Sequence, residues 1–148
     1  MNTPPLTIVI ADDDEDDRQL FSEALDELKL KTSVYTVKDG VELMDYLSKE
    51  ETPMPYLLFL DLNMPRKNGL QCLKEIRQSE RLKEIVVTIY STSSSEKDIE
   101  ETFQSGANGY LKKPNNFGML KKALHKIVMY AHVYRDPPFN KANFLFKV

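Results

Sequence analysis

The chain has 148 residues, 41% of them hydrophobic and 29% charged, with a formal net charge of -3, a balance that suits one globular domain around a buried core. The acidic excess weighs against direct nucleic-acid binding, which needs Lys and Arg gathered on one face; the longest apolar run, Tyr56 to Leu60, is too short to cross a bilayer, and Met1 to Pro5 does not read as a secretory leader. Cys72 is the single cysteine, so an internal disulfide and a thiolate metal cluster are excluded, and a reducing, cytoplasmic setting is expected.

Leu6 to Ala11 is a short, β-branched apolar run and reads as the first strand. Leu20, Ala24, Leu25 and Leu28 then recur at helical spacing. Ser33 to Val37 alternates as an edge strand does, and Val41, Met44 and Leu47 mark a second helix. After a loop over Thr52 to Pro55 come a third strand, Tyr56 to Leu60, and a helix marked by Leu70, Leu73 and Ile76. Ile85 to Tyr90 is the fourth strand, Ile99 and Phe103 suggest a shorter helix, and Gly109 to Leu111 is a brief fifth strand. Phe117, Leu120, Leu124, Ile127, Val128 and Ala131 form a long stripe on the fifth helix. Repetition of βα five times predicts a doubly wound α/β fold with a parallel sheet. The expected division is one domain over residues 1–134 and a tail over 135–148, too short to be a domain of its own. In that tail Pro137 and Pro138 stop any helix, and Phe144, Phe146 and Val148 alternate as a short strand would.

In an open parallel sheet the loops at the carboxyl ends of the strands line the ligand crevice. Asp12 and Asp13 follow the first strand and Asp61 follows the third, and these strands are neighbours in a doubly wound sheet. Three converging carboxylates repel one another and raise their pKa values unless a hard divalent cation joins them. Mg²⁺ suits best, since it takes one or two carboxylates and completes its octahedron with water and phosphate oxygens, which points to phosphoryl chemistry. Each residue alone has a plainer explanation. Asp14 is a natural helix N-cap, and Glu15, Asp16 and Asp17 complement the helix dipole. Asp61 before Asn63-Met64-Pro65 is an ordinary turn-former, Ser91 to Ser95 a polar loop with Ser94 or Ser95 as a cap, and Lys113 a solvated lysine. It is the set on successive strand ends, with Ser91 and Thr92 able to donate to an anion and Lys113 supplying positive charge, that departs from the ordinary.

These residues resemble the response-regulator receiver domains over roughly residues 5 to 131. The resemblance is carried by Asp12-Asp13 after Ile8-Val9-Ile10-Ala11, by Asp61 within the segment from Leu60 to Gly69, by Ser91 at the end of the fourth strand, and by Gly109-Tyr110-Leu111-Lys112-Lys113-Pro114. It implies a flavodoxin-like three-layer sandwich with sheet order 2-1-3-4-5, and Asp61 as acceptor of a phosphoryl group from a histidine kinase or histidine phosphotransfer protein. It further implies Mg²⁺ held by Asp12, Asp13, Asp61 and the carbonyl of Asn63, with Ser91 and Lys113 on phosphoryl oxygens. Asn63 and Ser93 would influence the water that removes the phosphoryl group, and Thr92, where the family more often has Ala, would narrow access to it. Ser91 and Tyr110 would form the switch, with Tyr110 turning inward and the α4-β5-α5 face meeting a downstream protein. Lys113-Pro114 matches the family's cis peptide. The stand-alone form with a tail is similar to receivers serving phytochrome-like or hybrid histidine kinases in the bacterial cytoplasm; the tail either folds on its own domain or supports a homodimer.

Two other functions fit parts of the pattern. A magnesium-dependent phosphohydrolase with an aspartyl nucleophile would use a similar Asp, hydroxyl and Lys set, but its second acid is Asn63 here and no substrate-selecting insertion is present. An interaction module that is never phosphorylated would have no use for the complete set. His125 and His132, seven residues apart, lack metal-site spacing and are expected to be surface or packing residues.

Overall fold

The four mostly apolar runs become strands because each is covered on both faces, whereas the edge strand over residues 32–37 stays half-exposed. In the computed structural model, which describes residues 5–133 and 145–146 and the side chains of 5–131, β1 (Leu6–Ala11), β2 (Thr32–Val37), β3 (Leu57–Leu60), β4 (Val86–Ser91) and β5 (Gly109–Lys112) run parallel. Their order is 2-1-3-4-5, as expected for a doubly wound sheet. The helices α1 (Glu15–Leu28), α2 (Gly40–Ser48), α3 (Gly69–Gln78), α4 (Glu96–Gln104) and α5 (Phe117–Val133) alternate with them. Expected strand ends move by about a residue: Thr32, Ser91 and Lys112 join strands, while Tyr56 and Ile85 fall just outside. Thr92 lies beyond β4, which ends at Ser91.

A sixth strand, β6 (Leu145–Phe146), lies parallel to β5 with Tyr110 opposite Leu145 and Leu111 opposite Phe146. That stretch of the tail therefore pairs with its own sheet. Phe146 belongs to it, whereas Pro137, Pro138, Phe144 and Val148 lie outside the described residues.

Because successive strand side chains point to opposite faces, the sheet feeds two cores. Val9, Leu58, Leu60, Val87, Ile89 and Tyr110 pack with Leu43, Leu47, Cys72, Leu73 and Ile76 on one face. Ile8, Ile10, Phe59 and Tyr90 pack with Phe21, Leu25, Leu124, Ile127 and Val128 on the other. There the rings of Phe21 and Phe59 meet edge to face, centroids 4.8 Å apart, a favoured geometry for aromatic quadrupoles. On α4 only Thr102 is fully buried, with Ile99 and Phe103 half-buried, so α4 is less deeply held than the helices of the two cores. The helices start where side chains satisfy their first N–H groups: Asp14 accepts from Asp17, Asp39 from Glu42, and Ser95, rather than Ser94, from Asp98. Asn68 and Gln71 form a reciprocal capping box at the start of α3.

Arg77 clamps the far end of α3. Its guanidinium donates to the carbonyls of Gly106 (2.8 Å) and Ile85 (2.8 Å) and to Asn108 Oδ1 (2.7 Å), tying α3 to the start of β4 and the turn before β5. Arg77→Met removes these donors and leaves part-buried acceptors unsatisfied. It is expected to destabilise the chain by about 2–4 kcal/mol, read as a lower urea midpoint.

Candidate functional site

Each helix begins near the carboxyl end of the strand before it, so the β1–α1, β3–α3, β4–α4 and β5–α5 loops gather at one end of the sheet. The ladder sets the positions: Asp12 N–H donates to Val37 O (3.1 Å), Asp61 N–H to Ala11 O (3.0 Å) and Lys113 N–H to Ser91 O (2.8 Å). Asp12, Asp13 and Asp61 thereby each offer an oxygen within 4.8 Å of the others. Asp12 is fully buried and Asp61 is 5% exposed, while Asp13 is open to solvent.

The donor set fits a cation. Asp12 Oδ1 accepts from Asp14 N–H (3.0 Å), but Asp12 Oδ2 is buried without a hydrogen-bond partner among the described residues. It stands 2.8 Å from Lys113 Nζ, an ion pair whose angles do not make a directed hydrogen bond. A buried, unsatisfied carboxylate oxygen facing two other carboxylates suits a hard divalent cation with oxygen ligands. Asp61 Oδ1 accepts a long bond, 3.3 Å, from Asn63 N–H, and the side chain of Asn63 is exposed.

Burial pushes the Asp61 carboxyl up to about 7, with Lys113 pulling down and the Asp12 carboxylate pushing up. Lys113 is held in the opposite sense. Burial disfavours its charge, yet Asp12 and Asp17 outweigh burial and keep the ammonium protonated well above its ordinary value. Its Nζ is 2.7 Å from Asp17 Oδ2 and 3.7 Å from Asp61 Oδ2, and lies 5.3 Å from the centroid of the Tyr90 ring.

Ser91 is fully buried at the end of β4, and its Oγ accepts from Ser93 N–H (3.1 Å). Ser93 Oγ donates to Asp98 Oδ2 (2.6 Å), and Tyr110 OH donates to Ser93 O (2.9 Å). A continuous set of hydrogen bonds thus joins the end of β4 to β5 and to the first turn of α4. Thr92 is exposed at the rim.

Tyr110 is fully buried, its ring in the core beside Ile89 and its hydroxyl donating to Ser93 O. One expectation is corrected. The Lys113–Pro114 peptide is trans, as there is no cis bond among the described residues; the Lys113 backbone is registered by its bond to Ser91 O. Asp17 is the residue the sequence reading passed over, taken there as an ordinary first-turn acid. The available signal was its place three residues after the cap Asp14, where a helical side chain leans back toward the strand ends. Tyr90 was likewise missed.

Other candidates lie elsewhere. His125 is exposed on α5, and the side chain of His132 lies outside the described residues. Cys72 is buried, its thiol pushed up to about 11 chiefly by burial, which marks a packing residue. No helix among the described residues is long and apolar enough to cross a membrane.

The chain is similar to known proteins of one family. The model of the response regulator receiver domain family matches residues 8–125. The response regulator Rcp1 of Synechocystis sp. is 33% identical over 130 residues, covering 85% of this chain and 88% of that protein. Among solved structures, the phosphorylated cyanobacterial phytochrome response regulator RcpA superposes with a TM-score of 0.79 at 34% identity, covering 85% of this chain and 93% of that one. The Mn²⁺-bound form of Rcp1 superposes at 0.77 with 30% identity, covering 90% and 97%. With its five parallel strands in the same 2-1-3-4-5 order and its acids at the ends of β1 and β3, the chain belongs to the response-regulator receiver domains, the signalling switches of two-component phosphorelays.

Proposed function

We propose that Asp61 accepts a phosphoryl group from the phosphohistidine of a histidine kinase or histidine phosphotransfer protein, with Mg²⁺ held by Asp12, Asp13, Asp61 and the carbonyl of Asn63. The observation that carries this reading is the buried Asp61 carboxylate beside that of Asp12, with the ammonium of Lys113 2.8 Å from the unsatisfied Asp12 oxygen and 3.7 Å from Asp61 Oδ2. The Mn²⁺ bound by Rcp1 supports a divalent cation, and Mg²⁺ shares its preference for oxygen ligands.

A carboxylate near pH 7 is only partly ionised when burial holds its pKa near that value. Mg²⁺, when bound, supplies positive charge that favours ionised Asp61 and neutralises the transferring group. Asp61 attacks phosphorus in line, the P–O bond forms, and the P–N bond breaks with its electron pair leaving on the imidazole. Lys113 pairs with one phosphoryl oxygen. The Ser91 hydroxyl, whose oxygen accepts from Ser93 N–H and whose side chain also hydrogen-bonds the Tyr110 hydroxyl, turns its hydrogen to another. Preplaced charges of this kind lower the barrier without reorganisation during the reaction. The same groups would let the domain phosphorylate itself from a small phosphodonor and return the group to water. The exposed Asn63 side chain is placed to order that water, Ser93 having committed its hydroxyl to Asp98, and Thr92 narrows the entrance.

Drawing the Ser91 hydroxyl toward a phosphoryl oxygen disturbs Ser93 and, through it, Tyr110 and Asp98. Contacts present only in the phosphorylated state then shift the population of the α4-β5-α5 face, where a downstream protein or a second copy docks. The likeness to a phytochrome response regulator supports an upstream kinase of phytochrome-like or hybrid type in a bacterial cytoplasm. The receiver unit occupies residues 1–134, with 135–148 as its tail.

Incubation with acetyl phosphate and Mg²⁺, followed by intact-mass measurement, tests the acceptor. Wild type gains one phosphoryl mass and Asp61→Asn gains none; equal labelling of the two removes Asp61 from the role.

A further inference from the structure

We propose that Asp17, in the first turn of α1, is a positioning residue that holds the Lys113 ammonium toward α1 and keeps it from settling further between Asp12 and Asp61, an inference that rests on reading Asp12, Asp13 and Asp61 as a divalent-cation site. Among the three carboxylates around Nζ, Asp17 takes a directed hydrogen bond, at 2.7 Å. Asp12 Oδ2 is as near, at 2.8 Å, but badly aligned, and Asp61 Oδ2 is 3.7 Å away. The Tyr90 ring lies 5.3 Å from Nζ, a cation–π contact that adds to the same seat. Asp17 is free for this role because the helix cap uses its backbone N–H, which donates to Asp14 Oδ1, and leaves its carboxylate uncommitted.

The ammonium already pairs with Asp12 Oδ2 at 2.8 Å and lies 3.7 Å from Asp61 Oδ2, and without Asp17 these oxygens of the cation cluster are the ones left to it. A lysine drawn closer to both neutralises two of the three carboxylates more fully and repels a divalent ion. Asp17 is not within that cluster, so its effect on the cation passes through Lys113. The first turn of α1 and the end of β5 are thereby linked across a sequence separation of 96 residues.

A double-mutant cycle separates this role from simple loss of negative charge. Mn²⁺ affinity is measured on the full chain, by electron paramagnetic resonance of the free ion, for wild type, Asp17→Asn, Lys113→Met and the double variant. Asp17→Asn is expected to weaken Mn²⁺ binding about tenfold when Lys113 is present and no more than about twofold in the Lys113→Met background. Asp17→Glu, which can still reach the ammonium, should stay within about threefold of wild type. Equal weakening in both backgrounds would overturn the positioning role while leaving the cation site standing. Absence of Mn²⁺ binding by wild type would overturn both. None of these measurements uses a phosphodonor, so failure of Asp61 to accept a phosphoryl group is a separate result.

Discussion

In metal-free solution at pH 8, Asp61→Asn is expected to be more stable than wild type by about 2 kcal/mol, although it loses the phosphoryl acceptor. The folded carboxyl has a pKa of about 7, raised by burial from an ordinary 3.8. Between those values the folded chain holds a proton that the unfolded chain has released. Stability from this group is therefore fully present below about pH 4, declines as pH rises, and is gone once pH passes about 7. Above that point wild type carries a buried charge beside the Asp12 carboxylate, whereas the amide carries none. The two proteins should converge in urea midpoint near pH 4 and separate toward pH 8, with a Tm gap of roughly 4–8 °C there. Saturating Mg²⁺ should narrow the gap by stabilising wild type more than the variant, because ligand binding to the folded state adds to its stability. Parallel pH profiles for the two proteins would show that Asp61 does not titrate in this window.

Gly69→Ala should be among the most damaging single-methyl changes in the chain. A Cβ at Gly69 would lie 2.2 Å from the backbone carbonyl oxygen of Asp61 and 2.9 Å from Leu62 Cα. Neither is the tip of a flexible side chain, so the backbone itself must move. Gly69 N–H also donates to Leu62 O (3.0 Å), and the Asn68–Gln71 capping box fixes the helix start from the other side. The methyl therefore pushes the start of α3 away from β3, with an expected loss of about 3 kcal/mol or more. The displaced carbonyl belongs to Asp61, so the surviving folded protein should also show slower labelling by acetyl phosphate. A urea midpoint within experimental error of wild type would mean that the loop relaxes freely, against the close packing of Gly69 on the Asp61 carbonyl.

The strands, the five βα units and the acids at the ends of β1 and β3 were legible in the sequence for a physical reason. A parallel sheet buried on both faces demands short continuous apolar runs, and the residues that follow such runs must lie at its ligand-binding edge. Asp12, Asp13, Asp61, Ser91 and Lys113 could be placed there by counting from Ala11, Leu60, Tyr90 and Leu111. The cap at Asp14 was readable, and that of α4 narrowed to Ser94 or Ser95, for an equally local reason, since a cap bonds an N–H only three residues away. What distance along the chain conceals was not readable. The hydrogen bond from Lys113 to Asp17 spans the whole domain, and its geometry follows from how α1 sits across the sheet, not from the composition of its first turn.

Likewise, Tyr110 is inward because the space beside Ile89 and the carbonyl of Ser93 accept it, a matter of packing that a strand aromatic does not announce. The sequence by itself determined which residues could meet at the sheet edge, because period and strand length are local properties of the chain. Only the tertiary structure decided which carboxylate holds the lysine, which oxygen of Asp12 is left without a hydrogen bond, and how strongly burial opposes the charge of Asp61. Each of those depends on distances and on the exclusion of water, which exist only once the five strand ends have been brought together.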